Sequence, residues 1–262
     1  DAVVALAHTG IDDAEALAKA DADDDIDVLV VGDDEQVYPP AETSGTIISE
    51  AGARANYLSE IELTVENGEV TSFDGQLIEV TENIQKDPTA SAIINDYRQD
   101  VGLDSVIVET ETPLDATFGS NYHRETGYGN LITDAMRDRA DADVAITNAG
   151  GIRSDSVYGP GEITGGDIFN TLPFPNTLVT LELTGEELVE TLASQIITLE
   201  SDTGQAFGEE VSQQVSGVRF EWVPHEDTDQ LIRDVRVGGE PLDPDATYDV
   251  AVNSFIASGG SG

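Results

Sequence analysis

Two continuous apolar runs, joined by a short helical stretch, constrain the fold of this chain more than any other feature of its sequence. The runs AVVALAH (residues 2–8) and IDVLVVG (residues 26–32) flank TGIDDAEALAKADADDD, which we predict to be a short helix. Strands that are apolar on both faces are typical of sheets covered on both sides, and a connecting helix makes such strands parallel. The start of the chain therefore predicts a β-α-β unit.

The pattern changes after residue 36. We predict that VYPPAETSG is a loop, whereas TIISEAG and NYLSEIELTVENGEVTSFDGQLIEVT alternate apolar with polar residues. The pair Asn67-Gly68 between two alternating runs is typical of a β-hairpin. We expect this part of the chain to be antiparallel and partly exposed to solvent.

An amphipathic helix, predicted over residues 87–103, separates these segments from a second α/β pattern. Ile93, Ile94 and Tyr97 stand near helical spacing within it. Because the pattern on its two sides differs, we place a domain boundary there, with an α/β domain over residues 104–262. The predicted elements of that domain are the strand SVIVETETPL, the helix GYGNLITDAMRDRAD and the strands DVAITNAGG, TLVTLELT, GVRFEWV, LIRDVRVGG and TYDVAVNSF. Thr184 and Glu187 form a capping box that starts a further helix.

The charge of the chain limits its partners. Its 262 residues contain 53 Asp and Glu against 11 Lys and Arg, a formal net charge of −42. Such a field repels nucleic acid and anionic membranes, and high salt is the ordinary setting in which its self-repulsion is screened. We therefore expect a protein of a halophilic organism, and we expect the chain to unfold at low salt.

Other counts exclude further classes. Cysteine is absent, which excludes disulfides, a thiol nucleophile and cysteine-based metal sites. A run of 18 apolar residues is absent too, so we expect no membrane-spanning helix. The single methionine is Met136, and the sequence opens directly in a strand-like run, so we expect it to be a piece of a longer protein.

His8 follows the first predicted strand, and the stretch GDDEQ (residues 32–36) follows the second. Ligands and metals collect at the carboxyl ends of strands in α/β sheets, and a neutral imidazole suits a divalent transition metal. A lone surface histidine and a solvated acidic loop would fit the same pattern. The run DADDDID is not a calcium loop, because Ile26 stands where the sharp-turn glycine is needed.

The segment DVAITNAGGIR combines a strand end with a glycine turn and an arginine. Asn148 offers donors and an acceptor, Gly150 and Gly151 allow close approach of a ligand, and the guanidinium of Arg153 can bind a phosphate. A tight turn with an exposed arginine would have the same sequence. Arg124, in HRETGYGNL, precedes a glycine-rich helix start that favours anions, although a salt bridge to one of many acids would also explain it.

Phe174 in LPFPN and Phe255 in NSFIASGGSG follow predicted strands in polar loops. Flat rings in such positions can stack on a nucleobase, whereas phenylalanine is more commonly part of a core. Two arginines, two aromatic rings and a polar glycine-rich turn together describe a site for a nucleoside phosphate.

These motifs resemble those of a known family. RETGYGNLITDAM, NAGGIRSD, GEITGGDIFNTLPFPNTLVTLELTG and NSFIASGG occur in the order and context of the C-terminal domain of the 5′-nucleotidases. That family includes UDP-sugar hydrolases and 2′,3′-cyclic-nucleotide phosphodiesterases. The resemblance covers residues 104–262. Residues 1–86 resemble the last part of the family's metallophosphoesterase domain, and residues 87–103 resemble its interdomain linker helix.

The resemblance implies an α/β (α+β) fold, in which the end of a calcineurin-like metallophosphoesterase sandwich precedes a mixed-sheet substrate-binding domain. It also implies roles for individual residues. Arg124 and Arg153 correspond to the arginines that bind the anionic part of the substrate. Asn148, with the glycines of its turn, corresponds to a substrate contact, and Phe174 and Phe255 correspond to the rings that clamp the base.

The family's two divalent metal ions, Zn, Mn or similar, take one ligand from the strand that His8 ends here. Further ligands come from a loop whose counterpart is GDDEQ, in which Gln36 fits the last ligand position and Asp34 replaces a histidine. His123 and His225 match no ligand position, and Ser261 replaces an aspartate. The segments that carry the catalytic residues and most metal ligands do not occur in this chain, so it supplies no catalytic residue.

Three functions remain open at this point. The leading one is an exported or cell-surface nucleotide phosphohydrolase, of which this chain forms the nucleotide-binding side and part of the metal site. A second is a non-catalytic module that binds nucleosides or has a structural role, and that has lost its metal site. The third is an α/β domain of a halophile that keeps these motifs for packing. In the first two cases the partner is a small nucleotide or nucleoside.

Overall fold

The computed structural model describes residues 2–21, 25–200, 206–222 and 231–260. Our expectations for His225 and Ser261 therefore fall outside the described residues. The chain divides into two compact units, Asp1–Ser91 and Ala92–Gly262, and the division falls inside the helix Pro88–Asp100. That helix buries none of its residues, and Ile93 is 65% exposed. Within the described ranges, no helix combines the length and the apolar character that crossing a bilayer requires.

The first unit contains the predicted β-α-β unit. Strands β1 (Val4–His8) and β2 (Val28–Gly32) pair in parallel, and helix α1 (Gly10–Ala20) connects them. The sheet continues with β3 (Val37–Thr43) and β4 (Thr46–Ala51) in the order β1-β2-β4-β3. One side of α1 packs on the sheet, and the buried residues of this core are Ile11, Ala14, Ala18, Leu29, Val31 and Ile48.

Two expectations for this unit were wrong. The segment VYPPAETSG is the edge strand β3 and not a loop, because its two prolines occupy a bulge, between Tyr38 and Ala41, at which no ladder hydrogen bond is needed. Strand β4 is not partly exposed either. It lies inside the sheet, parallel to β2, and residues 46–50 are all buried.

The hairpin prediction is confirmed. Strands β5 (Tyr57–Glu66) and β6 (Glu69–Glu79) pair antiparallel around Asn67 and Gly68, which both have positive φ, 56° and 96°. A two-residue turn with two left-handed residues matches the twist of the flanking strands, and asparagine and glycine adopt that conformation readily.

The second unit is built on a mixed sheet with the order β12-β19-β9-β15. Here β9 is Val144–Asn148, β12 is Leu178–Thr184, β15 is Gln213–Ser216 and β19 is Thr247–Asn253. Strand β19 is parallel to β9 and antiparallel to β12, whereas β15 is antiparallel to β9. The sheet is mixed, as the resemblance implies.

Helices cover both faces of this sheet. Helix α6 (Gly185–Ser194) buries Leu188 and Leu192 against a core to which Val144, Ile146, Val250 and Val252 also belong. The alternate residues of β9 and β19 point to the opposite face, where helix α4 (Gly127–Ala140) contacts β9, β15 and β19. The predicted capping box of Thr184 and Glu187 is present at the start of α6. The α/β prediction is therefore confirmed in both units.

Shorter elements surround the sheet. The predicted strand SVIVETETPL is divided into two strands, β7 (Val106–Thr110) and β8 (Leu114–Asp115). Strand β7 pairs with β11 (Gly161–Thr164), and β8 pairs with β10 (Val157–Tyr158). The remaining bounds are α2 Pro88–Asp100, α3 Phe118–Asn121, α5 Gly165–Thr171, β13 Ile196–Glu200, β14 Ala206–Val211, β16 Val218–Trp222, β17 Ile232–Val237, β18 Glu240–Pro241 and α7 Ser254–Ala257.

Candidate functional site

The glycine turn after β9 lies at the end of the central sheet of the second unit. Asn148 ends β9 and is 9% exposed, and Ala149–Gly151 form one turn of 3-10 helix. A Cβ atom at Gly150 would lie 2.8 Å from Oη of Tyr122, and one at Gly151 would lie 3.1 Å from Oδ1 of Asn148. A Cβ atom at either position would therefore push against the end of a neighbouring polar side chain, so the glycines leave Tyr122 and Asn148 in place.

Arg153 follows this turn and lies beside an aromatic ring. Its backbone N–H donates to the carbonyl of Thr171 at 2.8 Å, and its Cζ lies 5.4 Å from the centroid of the Phe118 ring. Among the residues that the structure describes, no carboxylate lies within ion-pair distance of its exposed side chain. In a chain of charge −42 this leaves the guanidinium available to an anion.

Arg124 is held in a different way. One nitrogen of its guanidinium donates to Oδ2 of Asp115 at 2.9 Å and to Oγ of Ser120 at 2.6 Å, although its side chain remains 67% exposed. Burial raises the pKa of Asp115, but hydrogen bonds from Ser120, Thr117 and Arg124 outweigh it and bring that pKa down to about 2. Arg124 is thus a counter-charge to Asp115, as the salt-bridge alternative supposed, with other N–H groups left to donate.

Helix α3 connects the two arginines. Phe118, at its start, lies under the guanidinium of Arg153, and Ser120, in its last turn, accepts a hydrogen bond from Arg124. The backbone N–H of Phe118 also donates to Oδ1 of Asp155 at 3.0 Å. One short helix therefore fixes the surroundings of both guanidinium groups.

Phe174 lies in the loop before β12, whereas Phe255 lies in the short helix α7 and not in the loop that the sequence predicted; the two segments are hydrogen-bonded to each other. The backbone N–H of Ser254 donates to the carbonyl of Thr177 at 2.8 Å, and the N–H of Thr177 donates to Oγ of Ser254 at 3.1 Å. Phe174 is 52% exposed and Phe255 is 46% exposed, so neither ring is a core residue. Gly260 packs against the ring of Phe255, because a Cβ atom there would lie 2.5 Å from it.

Four of the seven predicted residues of the second unit line three separate cavities, whereas Gly150, Arg153 and Phe255 line none of the three. Phe174 and Gly151 line one of about 320 Å³, together with Asn176 and Asn253. Arg124 lines a second of about 600 Å³, and Asn148 lines a third of about 110 Å³. The structure thus brings these residues to one region of the unit, around the end of β9 and around α3, but not into a single closed pocket.

Two further residues of this region were not singled out from the sequence. Asn253 donates from Nδ2 to Oδ1 of Asn148 at 3.0 Å, and Gln213, on β15, is the cross-strand partner of Asn148. The amide two positions before Phe255 was a signal for Asn253. Gln213 carried no such signal, because β15 itself was not predicted.

The predicted metal ligands lie in the first unit and do not form a complete metal site. His8 directs Nε2 to Oδ1 of Asp33 at 3.2 Å and is 85% exposed. Oδ2 of Asp34 accepts hydrogen bonds from the backbone N–H of Ile11 at 3.1 Å and from Nε2 of Gln36 at 2.7 Å. Within the described ranges, no three His, Cys, Asp or Glu side chains are grouped so that they could hold a metal ion.

The carboxylate of Asp34 is held by contacts within the first unit. The neighbouring carboxyl group of Glu50, followed by the hydrogen bond from Ile11, lowers the pKa of Asp34. Glu50 is 2% exposed, and its burial, followed by its contact with Asp34, raises its pKa to about 7. Because Asp34 accepts hydrogen bonds from the first turn of α1 and from Gln36, and lies beside a second carboxyl group, these residues as they stand do not fit a divalent ion.

The second unit is similar to proteins of known function. The family model for the 5′-nucleotidase C-terminal domain matches residues 106–262. Endonuclease YhcR of Bacillus subtilis (strain 168) is 31% identical over 241 residues, which are 90% of this chain and 18% of that protein. Cell wall protein Lmo0130 of Listeria monocytogenes serovar 1/2a is 34% identical over 151 residues, which are 53% of this chain and 18% of that protein.

A solved structure is similar over the whole chain. It is that of a 5′-nucleotidase precursor from Thermus thermophilus, with a TM-score of 0.69 and 27% identity, and the match covers 100% of this chain and 55% of that one. The chain therefore spans about half of this structural relative, and less than a fifth of the two relatives matched by sequence.

Proposed function

Because the chain belongs to the family of 5′-nucleotidase C-terminal domains, we propose that it supplies the nucleotide-binding part of a metal-dependent nucleotide phosphohydrolase. In this proposal Arg153 and Arg124 bind the phosphate or ribose side of the nucleotide. Asn148 and its glycine turn contact the ligand, and Phe174 and Phe255 stack on its base. The domain boundaries are 1–86 for the end of the metallophosphoesterase domain, 87–103 for the linker helix and 104–262 for the binding domain.

One observation carries this proposal, namely the guanidinium of Arg153. Among the nine arginines of the chain, Arg98, Arg124, Arg137 and Arg233 form ion pairs with carboxylates. Arg153 instead lies over an aromatic ring, beside a turn that ends a strand of the central sheet, with no described carboxylate in reach. Guanidinium groups bind phosphate through two parallel hydrogen bonds, so this position suits the anionic part of a nucleotide.

Titration calorimetry of the 262-residue chain with AMP and with adenosine, in molar KCl, tests the binding role. We expect Arg153→Ala to weaken AMP by about 10-fold or more, because a hydrogen bond to a charged group is lost, and to weaken adenosine less. Arg233→Ala is the matched control, since Arg233 pairs with Glu221 at 3.0 Å on a hairpin. Equal affinity of wild type and Arg153→Ala for AMP contradicts the proposal.

Hydrolysis is a property that we propose for the full-length protein. There we expect two divalent ions, Zn, Mn or similar, on ligands of which this chain carries few. Phosphate release from AMP by the full-length protein, and its loss on addition of a chelator, test this part. A full-length protein that binds AMP without hydrolysing it would favour the alternative, a non-catalytic nucleoside-binding or structural module. The contacts of Asp34 with Glu50 and Ile11 support that alternative, because they occupy a residue at a predicted metal-ligand position.

The location and setting of the protein are also proposals. We propose an extracellular or cell-surface protein of a high-salt organism, on the basis of the net charge of −42 and of similarity to a protein named a cell wall protein. The same charge disfavours nucleic acid as a partner of this chain.

A further inference from the structure

The side chain of Gln214 connects strand β15 to the turn that carries Arg124. Its Nε2 donates to two backbone carbonyls, those of Asn121 and Arg124, each at 2.8 Å. Its Oε1 accepts from the backbone N–H of Thr126 at 3.0 Å. Both ends of the amide are therefore engaged, and they hold three points of the segment 121–126 between α3 and α4.

This amide is buried, so its bonds are not exchanged for bonds to water. Gln214 is 2% exposed and Thr126 is 4% exposed. Loss of one partner would leave a buried polar group unpaired, and such a group costs the full penalty of its removal from water. Because β15 is a strand of the central sheet, Gln214 fixes the backbone at Arg124 relative to that sheet.

The glycine-rich start of α4 takes part in the same contact. A Cβ atom at Gly129 would lie 2.7 Å from Cδ of Gln214, so a larger residue would push this amide away from its three partners. The N–H of Gly129 donates to Oγ1 of Thr126 at 3.0 Å, so the start of the helix is capped from within the chain. The glycine pattern that we interpreted as favourable for an anion thus accommodates Gln214 as well.

Arg124 is thereby held at both of its ends. Asp115 and Ser120 accept from its guanidinium, and Gln214 donates to its carbonyl oxygen. A ligand that reaches this guanidinium meets it in a position that the chain has already set, which reduces the ordering cost of binding. The groups that set this position come from two separate places, β8 with α3 on one side and β15 on the other.

We infer that Gln214 is a positioning residue for Arg124 in the proposed nucleotide site. Because both ends of its amide are engaged within the chain, Gln214 acts through the backbone of the segment 121–126 and not by contact with the ligand. This inference rests on the proposed function, in which Arg124 binds the phosphate or ribose side of the nucleotide. It gives β15, an edge strand of the sheet, a part in recognition.

A double-mutant cycle with AMP, measured by titration calorimetry of the 262-residue chain in molar KCl, tests this role. Gln214→Glu keeps the size of the side chain and the acceptor for Thr126, but it removes the donor to the two carbonyls. We expect it to weaken AMP by about 3- to 10-fold, a part of the value of a hydrogen bond to a charged group. In the Arg124→Ala background the same substitution leaves AMP affinity unchanged, because the guanidinium that it positions is gone. A merely structural role would lower the affinity equally in both backgrounds.

Ser216→Ala is the matched control. Ser216 lies on the same face of β15 and accepts from Nε of Arg137 at 2.9 Å, in the last turn of α4 and away from Arg124. This variant leaves AMP affinity unchanged. Gln214→Met has the same length and no charge, and it shows the same coupling to Arg124. Thermal melting of each variant shows whether it is folded.

The outcomes separate this inference from the proposed function. Equal weakening by Gln214→Glu in both backgrounds, or none in wild type, overturns the positioning role while the proposed function stands. If Arg124→Ala binds AMP as tightly as wild type, the roles of Arg124 and of Gln214 are both overturned. Failure of wild type to bind AMP overturns the proposed function and this inference together.

Discussion

The guanidinium of Arg153 lies over the ring of Phe118, with its Cζ 5.4 Å from the ring centroid. No carboxylate of the described residues lies within ion-pair distance of this guanidinium. A ring neutralises no charge, so it can hold the guanidinium in place and still leave its N–H groups to an anion. The sequence left a choice between counter-charge and anion ligand at both arginines, and the structure gives Arg124 a carboxylate partner, Asp115, and Arg153 an aromatic one, Phe118.

Removing the ring should weaken phosphate binding without changing any charge. We expect Phe118→Leu to reduce the affinity for AMP by about 2- to 5-fold, in keeping with the strength of an exposed cation–π contact. Phe118→Tyr keeps a ring and should restore the affinity. Calorimetric titration with AMP measures both. The expectation would be wrong if Leu and Tyr at this position gave the same affinity.

The two exposed rings should act on the base and not on the phosphate. We expect Phe174→Ala and Phe255→Ala each to weaken adenosine by about 5-fold or more, because base–aromatic stacking contributes about 1–3 kcal/mol per base. Phe169→Ala is a matched control, since Phe169 is 52% exposed and has no assigned role. Fluorescence or calorimetric titration with adenosine checks this, and an unchanged affinity in both variants would remove the stacking assignment.

Asp115 should contribute a pH-dependent share of stability. Its pKa is lowered to about 2 in the folded chain, so its contribution is present above an unfolded pKa near 4 and is lost as the pH falls toward 2. We expect the free energy of unfolding of wild type to exceed that of Asp115→Asn by about 1–2 kcal/mol at pH 6 and by much less at pH 2.

Guanidinium chloride unfolding at several pH values measures this difference. Arg124→Ala should retain a large part of it, because Ser120 and Thr117 still donate to the carboxylate. A difference between wild type and Asp115→Asn that did not change with pH would contradict the assigned cause.

The melting temperature should rise with KCl concentration. The net charge of −42 generates self-repulsion that salt screens within about 10 Å at 0.1 M and about 3 Å at 1 M. We expect the chain to unfold at low salt and to fold in molar KCl, as followed by circular dichroism. Sorbitol at equal osmolality is the control, since it screens no charge, and a melting temperature independent of KCl would count against the halophilic assignment.

The sequence predicted those helices, strands and turns whose own residues are sufficient to specify them. The run at β2, the turn at Asn67-Gly68 and the cap at Thr184 are such cases, because burial, turn geometry and capping each depend on residues close in sequence. The run at β1 forms the predicted strand, but the expectation that it is covered on both faces was wrong, since β1 is an edge strand and Leu6 is 82% exposed. Strand β3 was missed because a strand can contain Pro39 and Pro40 only when it lies at the edge of a sheet. The position of β3 at the edge is defined by the complete topology and not by its own sequence.

The site was predictable to a similar extent. The strand ends at Asn148 and at Phe255 were visible as changes from apolar to polar residues. The difference between Arg124 and Arg153 was not visible, because it depends on Asp115 and Phe118, which approach these arginines only through α3. Gln213 was beyond reach for the same reason, since its partner Asn148 is 65 positions earlier in the chain and becomes a neighbour only through the register of β9 and β15.

The order of strands in the central sheet has a consequence for biosynthesis. Residues 247–253 form β19, which lies between β12 and β9 and therefore joins two halves of the sheet that no other described strand connects. While these residues are still inside the ribosome, β9 lacks its parallel neighbour β19, and Asn148 lacks its hydrogen-bond partner Asn253. A stop codon before residue 247 would leave the second unit without the central strand of its sheet, so the proposed nucleotide site is complete only after residues 247–253 have been synthesised.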